Sequence, residues 1–75
     1  MAEEMTIGAA LGMLYDRVLA EVGLYGTVMR RPSPTGETWI GWEGEGRSAE
    51  AGIKLPITPE RASEAADRIV EQLRE

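Results

Sequence analysis

Carboxylates and hydroxyls are the side chains through which this chain could carry out acid–base or nucleophilic chemistry, because its sequence contains no histidine and no cysteine. No serine stands in a motif that activates a nucleophile. Glu43 and Glu45 could form a carboxylate pair, but they flank Gly44 in a predicted turn. We therefore predict that the protein is not an enzyme and that the pair consists of solvated turn residues.

Ligands for a metal ion or a phosphate group are also sparse. The glutamates between residues 43 and 50 lack the loop pattern of a calcium site, and the thiolates and imidazoles of zinc sites are missing. Gly41, Gly44 and Gly46 suggest a phosphate loop, yet no predicted helix begins directly after them. We expect no metal and no cofactor, and we interpret the three glycines as turn residues with positive φ.

A row of carboxylates recurs near the end of the chain at spacings of four, three, four and four, which places them on one face of a helix. This acidic ridge consists of Glu60, Glu64, Asp67, Glu71 and Glu75. One interpretation is an ordinary solvated helix face. The other is a docking edge for a basic partner, including a surface that normally holds nucleic acid.

Two tryptophans lie three positions apart in a strand-like segment, so their side chains point to opposite faces of the sheet. Ile40 shares a face with Trp42, and we place this pair in the core beneath the helices. Trp39 then points outward together with Gly52 and Lys54 of the third predicted strand.

The first predicted strand adds to the outward face if Leu24, Gly26 and Val28 point inward. The resulting patch combines aromatic, flexible apolar and cationic groups that are common at protein-binding hot spots. Its predicted members are Tyr25, Met29, Arg31, Trp39 and Lys54. The alternatives are a different strand register, or coverage of Trp39 by loops or by the N-terminal residues.

The residues that could bind are carried by two predicted helices. The first spans Thr6 to Val22, with Thr6 as its N-cap and Gly23 as its stop. Its core row is Ile7, Leu11, Leu14, Val18 and Val22. A second row of apolar or small residues predicts contact with another element. Its members are Gly8, Gly12, Tyr15 and Leu19. The two glycines would permit close approach to the alanines of the last helix.

The last helix is predicted from about Pro59 to Leu73, with Thr58 as its N-cap and proline at its first position. Its core row is Ala62, Ala65, Ala66, Ile69 and Leu73. Three strands are predicted between the helices, at Leu24–Arg31, Thr38–Glu43 and Ala49–Ile57, with turns at residues 32–36 and 44–46. The third strand alternates its apolar residues, which are Ala51, Ile53, Leu55 and Ile57.

These elements predict an α+β fold, α-β-β-β-α, in which one face of a three-stranded antiparallel sheet carries both helices. At 75 residues we expect a single domain over 1–75. The net charge of −5 disfavours general binding to nucleic acid or to an anionic membrane. No signal sequence or long apolar segment is evident, so we expect a cytoplasmic protein.

The element order and length resemble the double-stranded RNA-binding domain, which is also α-β-β-β-α. The resemblance implies that fold, and implies nucleic-acid binding through a basic cluster at the start of the second helix. The matching segment here is Thr58-Pro59-Glu60-Arg61-Ala62-Ser63-Glu64, in which carboxylates outnumber the single arginine.

We expect a protein-binding module, in the form of a phage or mobile-element inhibitor of a bacterial nucleic-acid-handling complex such as a CRISPR effector. The small, acidic chain without catalytic motifs, its acidic ridge and its outward Trp39 suggest this function. One alternative is a nucleic-acid-binding domain that uses Arg30, Arg31, Trp39 and Lys54. Another is a homo-oligomeric structural subunit, in which the open sheet face or an edge strand pairs across a two-fold axis as in a homodimer.

Overall fold

The computed structural model describes residues 4–32 and 36–75, which form two helices and one antiparallel sheet. The elements are α1 (Ile7–Glu21), β1 (Thr27–Pro32), β2 (Glu37–Gly44), β3 (Arg47–Lys54) and α2 (Pro59–Arg74). The strand order is β1-β2-β3, so β2 is central and both other strands are edges. The predicted order α-β-β-β-α and the sheet are confirmed. None of the described helices has the length and apolar character needed to span a membrane.

Helix α1 begins and ends at the predicted residues. The Thr6 hydroxyl accepts a hydrogen bond from the Ala9 N–H at 3.1 Å, which satisfies one of the free donors of the first turn. Val22 is the C-cap, and Gly23 follows with φ of +76°, a conformation that glycine adopts without strain. The row that faces the core is Ala10, Leu14 and Val18.

The predicted close contact at Gly8 and Gly12 is wrong. Both glycines are exposed, and a Cβ added to Gly12 would meet no atom of the described residues within 4 Å. The two helices lie side by side on one sheet face, and α1 turns its buried row toward α2 and the sheet. The small residues therefore lie on the side of α1 that faces away from the rest of the described chain, while Tyr15 and Leu19 are half-buried beside them.

Helix α2 also follows its prediction. The Thr58 hydroxyl accepts a hydrogen bond from the Arg61 N–H at 3.2 Å, and Pro59 occupies the first turn. Its buried row is Ala62, Ala65, Ala66, Ile69, Val70 and Leu73. At the other end, the Arg47 guanidinium donates to the carbonyls of Leu73 and Glu75, which are acceptors that the helix leaves unpaired.

The β2–β3 connection is a tight turn of two residues, Glu45 and Gly46, between Gly44 and Arg47. Both turn residues have positive φ, 51° and 77°, as two-residue hairpins of type I′ require. This confirms the predicted second turn. In the predicted first turn, at residues 32–36, positions 33–35 lie outside the described residues.

Strand β3 spans Arg47–Lys54, so it begins two residues earlier and ends three residues earlier than predicted. Ala51 and Ile53 are buried, but the strand ends at Lys54, and Leu55 is 54% exposed. Ile57 is buried again beyond the strand, where its carbonyl accepts a hydrogen bond from the Met5 N–H at 2.8 Å. The predicted alternation fails at Leu55 because the pleat that produces it ends one residue earlier.

Only one of the three glycines predicted to have positive φ adopts it, namely Gly46. Gly41 lies inside β2, and Gly44 is its last residue. Their role is close approach: a Cβ on Gly44 would lie 2.5 Å from the carbonyl oxygen of Tyr25. Glycine thus lets the chain before β1 cross the end of β2 at short range.

Candidate protein-binding surface

The sheet places four of the predicted patch residues on the face opposite the helices. Strand register pairs Met29 with Gly41, Arg31 with Trp39, and Trp39 with Gly52. Because neighbours in register share a face, these side chains lie together, and Lys54 lies on the same face two residues after Gly52. We call this side of the sheet the open face.

The two tryptophans point to opposite faces, as predicted. Trp42 is only 1% exposed and lies in the core with Ile40. Trp39 is 36% exposed on the open face. The indole of Trp39 rests on Gly52, since its Cε2 atom lies 3.4 Å from the position that a Cβ of this glycine would take. The missing side chain at position 52 creates the space in which the ring lies against the backbone.

Met29 repeats this arrangement one strand away. Its Cγ atom lies 3.4 Å from the position that a Cβ of Gly41 would take, so this methylene lies over the centre of β2. The open face therefore has two large apolar side chains, each held in a recess made by a glycine of the neighbouring strand. The remainder of each side chain is accessible to a partner.

Charged side chains flank this apolar centre. Arg31 donates to Glu50 at 3.2 Å, and both side chains remain well exposed at 69% and 46%. Glu37 is the register partner of Lys54 on the other side of Trp39. Exposed ion pairs such as that of Arg31 and Glu50 contribute little to stability, so Arg31 is able to exchange this carboxylate for one of a partner.

Tyr25 does not lie in the sheet. The first strand begins at Thr27 instead of Leu24, and Tyr25 belongs to the connection between α1 and β1. Its side chain is 68% exposed. Leu24 and Gly26 likewise precede β1, whereas Val28 faces the core as predicted and packs there half-buried.

The acidic ridge lies on the outer side of α2, opposite the helix face that packs on the sheet. Glu60, Glu64, Glu71 and Glu75 are exposed there. Asp67 is exposed but is held at the seam between the helices, where it accepts a hydrogen bond from Arg17. Arg17 also donates to Glu21, and the two contacts raise the pKa of its guanidinium above the ordinary value. Most of the ridge therefore lies on the side of the helix layer away from the open face, whereas Glu64 lines a cavity together with Gly52 and Lys54.

The start of α2 differs in detail from a phosphate-binding cluster. Its one arginine, Arg61, donates to the carbonyl oxygen of Pro56 at 2.8 Å and so fastens the preceding loop to the helix. The carboxylates of Glu60 and Glu64 beside it are exposed. This end of the helix presents more negative than positive charge.

The outward position of Gly52 follows from the sequence alone, but no sequence-based prediction placed Glu50 or Gly41 on this surface. Glycine within a strand is a known sign of close approach, and both glycines carry that signal. Glu50 carries no such signal, because its pairing with Arg31 depends on the register of two hairpins.

Comparisons with protein-family models, with curated proteins and with solved structures give no match to this chain.

Proposed function

We propose that this protein is a binding module that docks its open face on a partner protein and performs no catalysis. The observation that carries the proposal is Trp39, a large aromatic side chain that is exposed at the middle of a sheet face opposite both helices. Tryptophan is enriched among the residues that contribute most to protein–protein affinity.

The surroundings of Trp39 suit this role. The ring is already held against Gly52, so its binding to a partner costs little side-chain entropy. Met29 extends the apolar area along the face, and Arg31 and Lys54 lie at its margins. An apolar centre with a charged rim is the usual anatomy of a protein interface.

The acidic ridge is the weaker candidate for this contact. It offers charge without an apolar anchor, and Arg17 offsets part of that charge at Asp67. Exposed charges of this kind influence the association rate more than the affinity. An inhibitor of a nucleic-acid-handling complex is one form that such a module can take, and in that form the negative charge of the ridge would speed association with a basic partner.

The test is affinity capture from bacterial lysate with the immobilised protein, followed by measurement of the dissociation constant of each captured protein. Trp39→Ala is the test variant, and Leu55→Ala is the matched control, because Leu55 is also an exposed large apolar residue but lies beyond the sheet. We expect Trp39→Ala to weaken binding by about 30-fold, equivalent to about 2 kcal/mol, and Leu55→Ala to bind as the parent protein does.

Two results would count against the proposal. One is a captured partner that binds Trp39→Ala as tightly as the parent protein. The other is an equal loss with Leu55→Ala, which would show that any exposed apolar side chain contributes and that the open face has no special role.

A further inference from the structure

The two edges of the sheet differ in how their main-chain groups are used. At the β3 edge, the Gln72 side chain of α2 donates to the carbonyl oxygen of Glu50 at 3.0 Å, so this carbonyl points away from β2. The β2–β3 turn leads to the same conclusion. A two-residue hairpin is flanked by a hydrogen-bonded pair, here Gly44 and Arg47. Hydrogen-bonded and non-hydrogen-bonded pairs alternate from there along the ladder, so the main-chain groups of Glu50 point away from β2. Helix α2 thus occupies part of the β3 edge.

The same alternation identifies the groups that β1 directs outward. Glu50 opposite Gly41 is a non-hydrogen-bonded pair, so Gly41 directs its main-chain groups toward Met29. The neighbours of Met29 in β1, Val28 and Arg30, therefore point their N–H and C=O away from the sheet. Within residues 4–32 and 36–75, no side chain or other main-chain segment forms a hydrogen bond with these groups.

Beyond Val28, which packs half-buried against the core, strand β1 is also exposed on both of its faces. Met29 and Arg31 are exposed on the open face, and Arg30 and Pro32 are exposed although their side chains are on the helix side. In β3, by contrast, the residues on the helix side from Ala49 to Ile53 are buried. Pro32 follows Val28 and Arg30 in the set of residues whose main-chain groups point away from β2, so its missing N–H removes no hydrogen bond from the sheet.

The positive charge of the β1 edge indicates which kind of strand could bind there. Arg30 and Arg31 are adjacent and point to opposite faces of β1 in a protein whose net charge is −5. Arg30 donates to the Thr38 hydroxyl at 3.3 Å, and no carboxylate of the described residues lies within 4 Å of it. A second copy of β1 would bring two more arginines to this edge, whereas a strand with carboxylates would complement it.

We propose that the outer edge of β1 binds an extended acidic segment of a partner protein as a fourth strand. The main chain of the segment bonds to Val28 and Arg30, and two consecutive carboxylates, one on each face, pair with Arg30 and Arg31. Affinity then comes from the main chain and specificity from the charges. The inference rests on the proposed protein-binding function and names the chemistry of one part of the partner.

The experiment uses a probe peptide designed from the register, acetyl-Thr-Glu-Glu-Val-Val-Thr-amide, and a control peptide in which lysines replace both glutamates. In antiparallel addition, the glutamates lie opposite Arg31 and Arg30, and the valines lie opposite Met29 and Val28. Amide NMR spectra of the protein are recorded during titration with each peptide. We expect shifts and slowed hydrogen exchange at the Val28 and Arg30 amides with the glutamate peptide, and a dissociation constant at least about 10-fold weaker with the lysine peptide.

Two variants separate the main-chain contact from the charge. Arg30→Ala removes the guanidinium but keeps the outward N–H, and Arg30→Pro removes both at an edge position where proline is compatible with the sheet. We expect binding to weaken about 10-fold with Arg30→Ala and to be lost with Arg30→Pro. If Arg30→Pro fails to fold, strand addition is still measured in Arg30→Ala, as slowed hydrogen exchange of the main-chain amide at position 30 when the glutamate peptide is added.

Several outcomes would overturn the inference. These are no shift at millimolar peptide, equal binding of the lysine peptide, shifts that spare Val28 and Arg30, or binding that survives in folded Arg30→Pro. Shifts at the same amides that depend on protein concentration without peptide would instead indicate pairing of two copies. The capture experiment with Trp39→Ala tests the proposed function independently of the peptide. If the peptide does not bind but a captured partner depends on Trp39, strand addition at β1 is wrong and docking through the open face still holds.

Discussion

Trp39 and Trp42 provide the sharpest comparison, because one strand presents them to opposite sides of the sheet. Trp42 is almost completely buried, and its ring lies so close to Gly26 that a Cβ there would lie 2.5 Å from the Cζ2 atom. Trp39 lies on the open face over Gly52 and keeps about a third of its surface exposed. We expect the alanine variants of the two residues to fail in different assays.

The expected stability loss for Trp42→Ala is about 3–5 kcal/mol, because a large buried ring leaves a cavity that the helices close only in part. The indole Nε1 atom is buried without a hydrogen-bond partner among the described residues, so its removal also relieves an unpaired donor. This relief places the net loss near 3 kcal/mol. A domain of this length has about 4–11 kcal/mol of stability in total, so the variant loses between about a quarter and about three quarters of it.

Trp39→Ala removes a ring from the surface of the sheet, where water fills the open recess over Gly52 and no closed cavity remains. We expect a loss of about 1–2 kcal/mol and a native fold. The measurement is urea denaturation followed by circular dichroism for the two variants and the parent protein, with Leu55→Ala as the surface control. Partner affinity is then measured for the variants that fold.

The result that would refute this reasoning is a reversal of the two effects. If Trp39→Ala unfolds the protein while Trp42→Ala keeps the parent midpoint, the core lies on the other side of the sheet. The proposed surface of Met29, Arg31 and Lys54 would then be interior, and both the docking proposal and its capture experiment would lose their basis.

Three further variants test other features. Thr58→Ala should lower stability by about 1 kcal/mol through loss of the N-cap hydrogen bond, and an unchanged urea midpoint would contradict the cap. Gly12→Ala should raise stability by about 0.5–1 kcal/mol, since an exposed helical glycine gains from a side chain that meets no neighbour, whereas a lower midpoint would indicate a contact at this site. Glu64→Lys combined with Glu71→Lys should preserve the fold and leave the affinity of an open-face partner within about twofold. A large loss of affinity would assign the contact to the acidic ridge.

The sequence by itself determined the elements and the faces that they bury. Apolar periodicity located both helices, and the hydroxyls of Thr6 and Thr58 marked their starts, because capping depends on residues within one turn. Strand alternation assigned Trp39 and Trp42 to opposite faces of the sheet, because side-chain direction along a strand depends only on the spacing of the residues. These features are local, so a single sequence contains the information that they need.

Only the tertiary structure decided which neighbour each face meets. Gly8 and Gly12 matched a packed row in the sequence but face away from the rest of the described chain, whereas Gly52 receives an indole. A glycine has no side chain whose polarity could indicate its surroundings, so the position of the neighbouring element determines its role. The outward main-chain groups of β1 were equally hidden, because hydrogen-bond alternation depends on the register of both hairpins and leaves no mark on residue type.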